Sequence, residues 1–211
     1  MSEKIQSAPE LASIEVEALD RSSFLMKGVL AAGALYGATA VTPLVRRAFA
    51  QGSSGDIDIL NFALTLEYLE AAFYDQAKAV KGVSPEVASY IKEFGAEEQE
   101  HVAGLTQAIK DLGGKPVKAP GVDFGDAFSS PEAFTKLAIT FEDTGVSAYN
   151  GAGPSLKSKD LLATAGAIVQ VEARHAGAIR FAAGESPAPN AFDPTLTTDE
   201  VLAAVKPFVK Q

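Results

Sequence analysis

Two short segments contain both histidines of the 211-residue chain, and the two segments share one residue pattern. Glu98 is followed three positions later by His101, and Glu172 is followed three positions later by His175. Residues three apart in a helix lie on the same face, so each segment can present a carboxylate and an imidazole side by side. Carboxylate oxygens suit manganese, and imidazole nitrogen suits iron. The pattern therefore indicates coordination of a transition metal.

A lone glutamate precedes each segment at almost the same distance. Glu67 lies 31 residues before Glu98, and Glu142 lies 30 residues before Glu172. The second half of the chain therefore repeats the first nearly in register, which indicates an internal duplication. Helical bundles that hold two metal ions use one glutamate from each of two helices and a Glu-x-x-His pair from each of the other two. The duplicated pattern supplies that complete set.

A tyrosine follows each lone glutamate by seven residues, or about two helical turns. Tyr74 follows Glu67, and Tyr149 follows Glu142. Two interpretations stay open for this pair. The tyrosines are either ordinary aromatic residues of the core, or they donate hydrogen bonds to the glutamates and so orient them and tune a bound metal.

Each of the four glutamates falls within a stripe of apolar residues spaced by three and four, as on the buried face of a helix. The stripe around Glu67 consists of Leu60, Leu64, Ala71 and Tyr74. Burial of four carboxylates without a counter-charge would cost several kcal/mol for each, and these stripes contain no lysine or arginine. Two divalent cations would balance the charge. We therefore interpret the pattern as a dinuclear metal site.

Three further acidic residues lie close to these positions, and the repeat separates them from the predicted ligands. Val171 takes the place of Glu97 in the second half, so we predict that Glu97 and Glu100 lie on a solvated face. Glu70 has no acidic counterpart either, because Gly145 stands at that position. Glu67 is accordingly the better bridging ligand of its helix.

The segment Leu60–Tyr74 (LNFALTLEYLEAAFY) resembles ferritin-like di-metal carboxylate proteins, of the bacterial branch related to plant desiccation-associated proteins. The resemblance covers residues 56–185 and implies a four-helix bundle with a di-iron or di-manganese centre. Glu67 and Glu142 are predicted to bridge the two ions, with Glu98 and His101 serving one ion and Glu172 and His175 the other. The six predicted ligands are Glu67, Glu98, His101, Glu142, Glu172 and His175.

Turn and cap residues place four long helices in residues 51–190. Asp56 is the predicted N-cap of the first helix, and Ser84 and Ser130 precede prolines that suit the first helical position of the second and third. Residues 115–130 form a long connection, which predicts a crossover with the second and third helices parallel. Residues 191–211 form a tail whose short helix, Thr198 to Val209, is expected to pack across one end. The predicted fold class is all-α.

Residues 1–50 read as a polar lead followed by an export signal. Arg21 and Lys27 flank a twin-arginine-like motif in which Ser22 replaces the second arginine, and an uncharged run over 28–45 leads to the small-residue site Ala48-Phe49-Ala50. This pattern predicts a mature protein that begins at Gln51 outside the cytoplasm. The alternative is an uncleaved membrane anchor, since the run is near the lower limit for a spanning helix.

Composition limits the remaining functions. The net charge of −9 argues against a nucleic-acid partner, because phosphate binding needs a basic surface, and the absence of cysteine excludes disulfides and thiolate metal sites. The resemblance implies an oxidoreductase-type centre that reacts with dioxygen or hydrogen peroxide, as in ferroxidases. A manganese catalase and a non-enzymatic metal-binding stress protein are the alternatives. Membrane contact is expected only through the N-terminal signal, and the sequence leaves a homo-oligomer open.

Overall fold

The computed structural model describes residues 55–210, so the predicted export signal at 1–50 lies outside the described residues. No helix in the described part combines the length and the apolar character that a membrane span requires. Four long helices form a bundle, and a short fifth helix follows them. The helices are α1 (Asp56–Ala77), α2 (Pro85–Asp111), α3 (Pro131–Ala152), α4 (Lys159–Ala182) and α5 (Thr198–Val205). The all-α fold class predicted from the sequence is confirmed.

Two of the predicted helix starts are confirmed by their caps. The Ser84 hydroxyl accepts the backbone N–H of Val87 at 3.2 Å, and the Ser130 hydroxyl accepts that of Ala133 at 3.1 Å. Each hydroxyl satisfies one of the donors that the first turn of a helix leaves without an internal partner. A proline follows each cap directly and supplies the fixed φ that suits the first helical position.

The prediction that Asp56 caps α1 is wrong. Gly55 occupies the cap position, and Asp56 begins the helix itself. The Asp56 carboxylate instead accepts the backbone N–H groups of Lys157 and Ser158 at 2.8 and 3.0 Å. This contact fastens the start of α1 to the residues that lead into α4. Local sequence could not show it, because the partners lie about 100 positions away.

The direction of the helices follows from which ends share a cluster. Leu60, near the start of α1, packs with Ile109 near the end of α2 and with Tyr149 near the end of α3. Helix α1 is therefore antiparallel to both α2 and α3, which makes α2 and α3 parallel to each other. The connection between Asp111 and Pro131 must then cross the bundle, as its length predicted.

Asn61 holds the start of this crossover. Its side-chain amide donates to the carbonyl of Lys115 at 3.3 Å, and its carbonyl oxygen accepts the N–H of Val117 at 2.8 Å.

Because Asn61 is buried, Asn61→Ala would leave these backbone groups unpaired, and we expect a loss of about 1–3 kcal/mol of unfolding free energy. Urea unfolding of the full chain measures it. Asn150→Ala, which removes one exposed contact to Pro194, serves as the control, and equal losses would contradict this role.

The tail helix packs along the side of the bundle rather than across an end, so that part of the prediction is wrong. Thr197 caps α5, as one of the two threonines expected at its start. Val201, Leu202 and Val205 then pack against α1 and α3. Their partners are Phe62, Leu66, Leu69 and Ala148. Beyond α5, Val209 pairs with Val122 of the crossover, which joins the tail to that connection.

Candidate metal centre

All six predicted ligands converge in the middle of the bundle, between an aromatic cluster on one side and an aliphatic cluster on the other. Each of the four long helices contributes one glutamate to this group, because the glutamate lies on the stripe of its helix that faces the core. The four glutamates are 0% exposed and His175 is 1% exposed. They are Glu67 on α1, Glu98 and His101 on α2, Glu142 on α3, and Glu172 and His175 on α4.

The first of two clusters surrounds His101. Its Nδ1 lies 3.1 Å from a carboxylate oxygen of each of Glu67, Glu98 and Glu172. One imidazole nitrogen carries at most one hydrogen, so it cannot donate to three carboxylates. Neighbouring ligands of an octahedral ion, bound at ~2.1 Å and at right angles, lie ~3.0 Å apart. The spacing of the four atoms therefore fits a shared cation better than a set of hydrogen bonds.

The second cluster surrounds His175. Its Nδ1 lies 3.0 Å from Glu98, 3.4 Å from Glu142 and 4.0 Å from Glu172. In each cluster the four ligand atoms all lie within 4.8 Å of one another. The second cluster is wider than the first, yet both bring three carboxylates and one imidazole to a single point.

Glu98 and Glu172 belong to both clusters. Glu98 directs Oε2 toward His101 and Oε1 toward His175, and Glu172 directs Oε1 toward His101 and Oε2 toward His175. A carboxylate that offers one oxygen to each of two clusters is placed to bridge them. This placement favours Glu98 and Glu172 as bridging ligands over Glu67 and Glu142, the predicted ones, since each of the latter belongs to one cluster. Spacing along the chain cannot decide this point, which depends on how the four helices face each other.

Several atoms at the centre have no hydrogen-bond partner among the described residues. They are Glu98 Oε1, Glu142 Oε2, both carboxylate oxygens of Glu172, and His175 Nδ1. A buried polar atom without a partner costs about 1–3 kcal/mol, and more when it is charged. All of these atoms belong to the two clusters. Their unmet bonding capacity, together with the oxygen and nitrogen donor set, fits two divalent ions such as iron or manganese.

Both tyrosines reach the glutamate of the opposite half of the repeat. The Tyr74 hydroxyl donates to Oε1 of Glu142, and the Tyr149 hydroxyl donates to Oε1 of Glu67. The structure therefore shows the hydrogen bonds that the second interpretation requires, and their effect on a bound metal stays a prediction. Each bond occupies one oxygen and leaves the other directed into the cluster, which fixes the orientation of the carboxylate.

Removal of one such hydroxyl should weaken metal binding. Because Tyr149→Phe frees the Glu67 carboxylate to turn, we expect the affinity for iron or manganese to fall about 10-fold to 100-fold. Competition against a chelator measures this affinity. Tyr90→Phe is the matched control, since the Tyr90 hydroxyl donates to Glu86 on the exposed side of α2. Equal affinities of the Tyr149→Phe variant and the unmodified protein would show that the hydroxyl does not position the carboxylate.

Glu97 is a neighbour of the centre that the repeat comparison missed. The sequence predicts a solvated face for Glu97 and Glu100, and Glu100 is indeed exposed. The Glu97 side chain is only 42% exposed, however, and its Oε2 lies 2.6 Å from Nε2 of His175. A carboxylate on the far nitrogen of a ligating histidine fixes the ring and increases its basicity. Val171 takes the corresponding place in the other half, so the two clusters are not equivalent.

Glu70 is the second residue without a counterpart, and it is also buried. The side chain is 3% exposed, and its Oε2 has no hydrogen-bond partner in the described part of the chain. A Cβ atom built on Gly145 would lie 2.9 Å from Oε1 of Glu70. The glycine therefore leaves the space that the Glu70 carboxyl occupies. Burial raises the pKa of Glu70 well above its ordinary value, and the neighbouring Glu172 charge adds to this shift.

The charges of the centre change the proton affinity of its members. Burial raises the pKa of Glu67 to about 7 and that of Glu172 to about 8. Burial lowers the pKa of both histidines, but the negative carboxylates close to each ring outweigh it and raise the pKa of His101 to about 12 and that of His175 to about 11. Both trends mean that the metal-free centre holds protons at neutral pH. Metal binding must displace these protons, because imidazole and carboxylate bind metal in their deprotonated forms.

The fold of this chain is similar to that of a known protein. One similar solved structure is that of a conserved hypothetical protein, rv2844, from Mycobacterium tuberculosis, with a TM-score of 0.57. It is 20% identical in sequence, and the match covers 66% of this chain and 99% of that chain. At this identity the likeness concerns the fold alone, and a search of curated proteins finds no significant match. The proposed relation to desiccation-associated proteins stays a prediction.

The family of this chain follows from its match to a family model. The model described as a ferritin-like domain matches residues 55–185, which include α1 to α4 and every member of the two clusters. This range is more than half of the 211 residues. The chain belongs to the ferritin-like domain family.

Proposed function

We propose that this protein binds two iron or manganese ions at the buried centre and uses them in an oxidoreductase-type reaction with dioxygen or hydrogen peroxide. The observation that carries the proposal is the pair of clusters that share Glu98 and Glu172, with their unpartnered atoms directed at two points. Iron or manganese supplies the capacity for electron transfer when bound. The protein supplies the ligands, their orientation and an apolar surrounding.

Each residue has a definite part in this proposal. Glu67 and His101 complete one ion site, Glu142 and His175 complete the other, and the two shared glutamates serve both. The tyrosines hold the unshared carboxylates in the orientation in which one oxygen faces the ion. Glu97 holds the His175 ring with Nδ1 toward the centre. The aromatic and aliphatic clusters on either side exclude bulk water.

A direct test is turnover by the metal-loaded protein. The protein would be loaded with Fe²⁺ or Mn²⁺, and an oxygen electrode would follow dioxygen uptake and then oxygen release from peroxide. The proposal expects turnover with at least one metal and its loss in His101→Ala, whose bound metal should fall well below two ions per chain. Glu100→Ala, which alters an exposed residue one position away, should leave both properties unchanged.

The results of this test also separate the alternatives. Rapid oxygen release from peroxide by the manganese form alone would favour a manganese catalase. Two bound ions without reaction toward either oxidant would contradict the oxidoreductase proposal and favour a metal-binding stress protein.

We further propose, from the signal predicted in residues 1–50, that the reaction takes place outside the cytoplasm. N-terminal sequencing of the protein from its host tests this, with Gln51 as the expected first residue.

A further inference from the structure

The two sides of the metal centre are packed differently. On the His175 side, Phe94 stacks on the imidazole ring with centroids 4.0 Å apart, and Phe73 makes ring contacts with Tyr74, Phe134 and Phe141. These aromatic rings fill that half of the core. On the His101 side the core is aliphatic and rich in small residues.

The aliphatic side contains a cavity of about 30 Å³. It lies where the start of α1, the ends of α2 and α3, and the start of α4 meet. Among its wall residues are Leu60, Ala63, Leu105, Leu156 and Ala165. The two side chains with polar groups on its wall are Tyr149 and Thr164, and the Tyr149 hydroxyl is already bonded to Glu67. Gly104 and Thr164 are exposed, so the cavity reaches the protein surface.

The cavity borders the His101 cluster. Tyr149 forms part of its wall and hydrogen-bonds Glu67, which is a member of that cluster. Leu105, another wall residue, lies one helical turn after His101. The two histidines also differ in exposure, since the His101 side chain is 11% exposed and that of His175 is 2% exposed. A small molecule therefore has a shorter path to the centre from the His101 side.

Size and polarity select what the cavity can hold. A cavity that binds benzene measures about 150 Å³, and a single water needs about 10–15 Å³ as well as polar partners. A 30 Å³ space with apolar walls accordingly suits a dry molecule of two or three heavy atoms. Hydrogen peroxide would lose its hydrogen bonds to water on entering such walls, at a cost of several kcal/mol, whereas dioxygen has none to lose.

We infer that this cavity is the access site through which dioxygen reaches the His101 half of the centre. The inference rests on the proposed function and deepens it, because it names dioxygen rather than hydrogen peroxide as the oxidant that this cavity admits. It also assigns unequal parts to the two halves of the repeat. The His175 half is closed by aromatic rings, and the His101 half faces the supply of oxidant.

Xenon provides a test that does not depend on turnover. Crystals of the metal-loaded protein would be pressurised with xenon, an apolar atom that apolar cavities bind. The inference predicts an anomalous peak in contact with Leu105 and Tyr149. Xenon found only elsewhere, or not at all, would overturn it. Bound metal is counted separately in the same crystals, so failure of the cavity inference is distinguishable from failure of the metal proposal.

Two glycines offer a matched pair of variants for a kinetic test. Gly104 lines the cavity and Gly166 does not, yet a Cβ atom at either position would meet nothing within 4 Å. Gly104→Phe should cover the cavity mouth and slow the reaction of the loaded, reduced protein with dioxygen about 10-fold, which corresponds to about 1.4 kcal/mol in the barrier. Gly166→Phe should leave that rate unchanged. Ala108→Leu, one turn beyond Gly104, fills the cavity from within and should act like Gly104→Phe.

The metal content of each variant separates access from damage to the centre. We expect two ions per chain in all three variants, loss of the xenon peak in the two cavity variants, and an unchanged rate with hydrogen peroxide supplied at high concentration. If both cavity variants react with dioxygen as fast as the unmodified protein, the inference is wrong. It is also wrong if Gly166→Phe slows the reaction as much as Gly104→Phe.

Discussion

Glu98→Ala should abolish binding of both metal ions, whereas Glu67→Ala should abolish binding of one. The reason is that Glu98 directs one oxygen toward each histidine, while Glu67 belongs to the His101 cluster alone. Loss of a shared ligand leaves each site with two carboxylates and an imidazole, and it removes the bridge between the ions. Loss of Glu67 leaves the His175 cluster complete.

Elemental analysis after gel filtration measures the metal content of the two variants. Glu100→Ala, one residue before His101 on the exposed side, controls for general effects on α2. The metal-free form of Glu98→Ala should unfold at a higher temperature than the metal-free unmodified protein, because one buried acid with an unpartnered oxygen has been removed. Equal metal contents for Glu98→Ala and Glu67→Ala would mean that Glu98 does not serve both ions.

The metal-free protein should become less stable as the pH rises from 5 to 8. Glu67 and Glu172 have folded-state pKa values of about 7 and about 8 against an ordinary value of 4.5. The stability that their protonation contributes is complete below pH 4.5 and is lost as the pH rises through 7 and 8. His101 and His175 act in the same direction, because their raised pKa values contribute stability below 6.5 that declines above it.

We expect a loss of at least a few kcal/mol over this range, since each group that holds a proton only in the folded state contributes about 1.4 kcal/mol per pH unit. For a chain of this length each kcal/mol lowers the melting temperature by about 2–4 °C. The metal-loaded protein should lack this dependence, because the ions replace the protons, and it should melt at a higher temperature at neutral pH. Thermal melts of both forms at pH 5 to 8 test this. Superimposable curves would show that the glutamates do not share a metal site.

The six side chains that converge could be predicted from the sequence because a duplicated pattern leaves a signal that does not require knowledge of the fold. Two Glu-x-x-His pairs and two lone glutamates recur nearly in register, and all six side chains converge. Which glutamates lie between the two clusters could not be predicted in the same way. That Glu98 and Glu172 lie between the clusters follows from the way α2 and α4 face each other in the core, which no spacing along one chain encodes.

The comparison of the two halves also missed two residues near the centre that have no counterpart in the other half. Glu97 and Glu70 lack acidic counterparts, and this difference placed them outside the predicted centre, although Glu97 contacts His175 and Glu70 is buried beside Gly145. The contact of Glu97 is with a residue 78 positions away, so it arises only from packing. The lack of an acidic counterpart in the other half therefore does not place a residue outside the centre.

The fold was predicted best where local chemistry decides it. Ser84 and Ser130 cap their helices through their own hydroxyls, and the connection after Asp111 is long enough for the predicted crossover. Predictions failed where distant partners decide, as for Asp56, which binds the residues that precede α4. The side on which the tail helix packs depends in the same way on apolar faces of α1 and α3 that are separated in the sequence.

The proposed function requires two ions side by side between His101 and His175. Anomalous diffraction from crystals loaded with iron or manganese, recorded on both sides of the metal absorption edge, tests it most directly. Two peaks are expected, at a separation of about 3.5–4 Å, which is the usual spacing of two-metal sites. One peak should lie next to Nδ1 of each histidine, with Glu98 and Glu172 in contact with both. A loaded crystal with no peak at these positions, or with a single ion bound elsewhere on the chain, would contradict the claim.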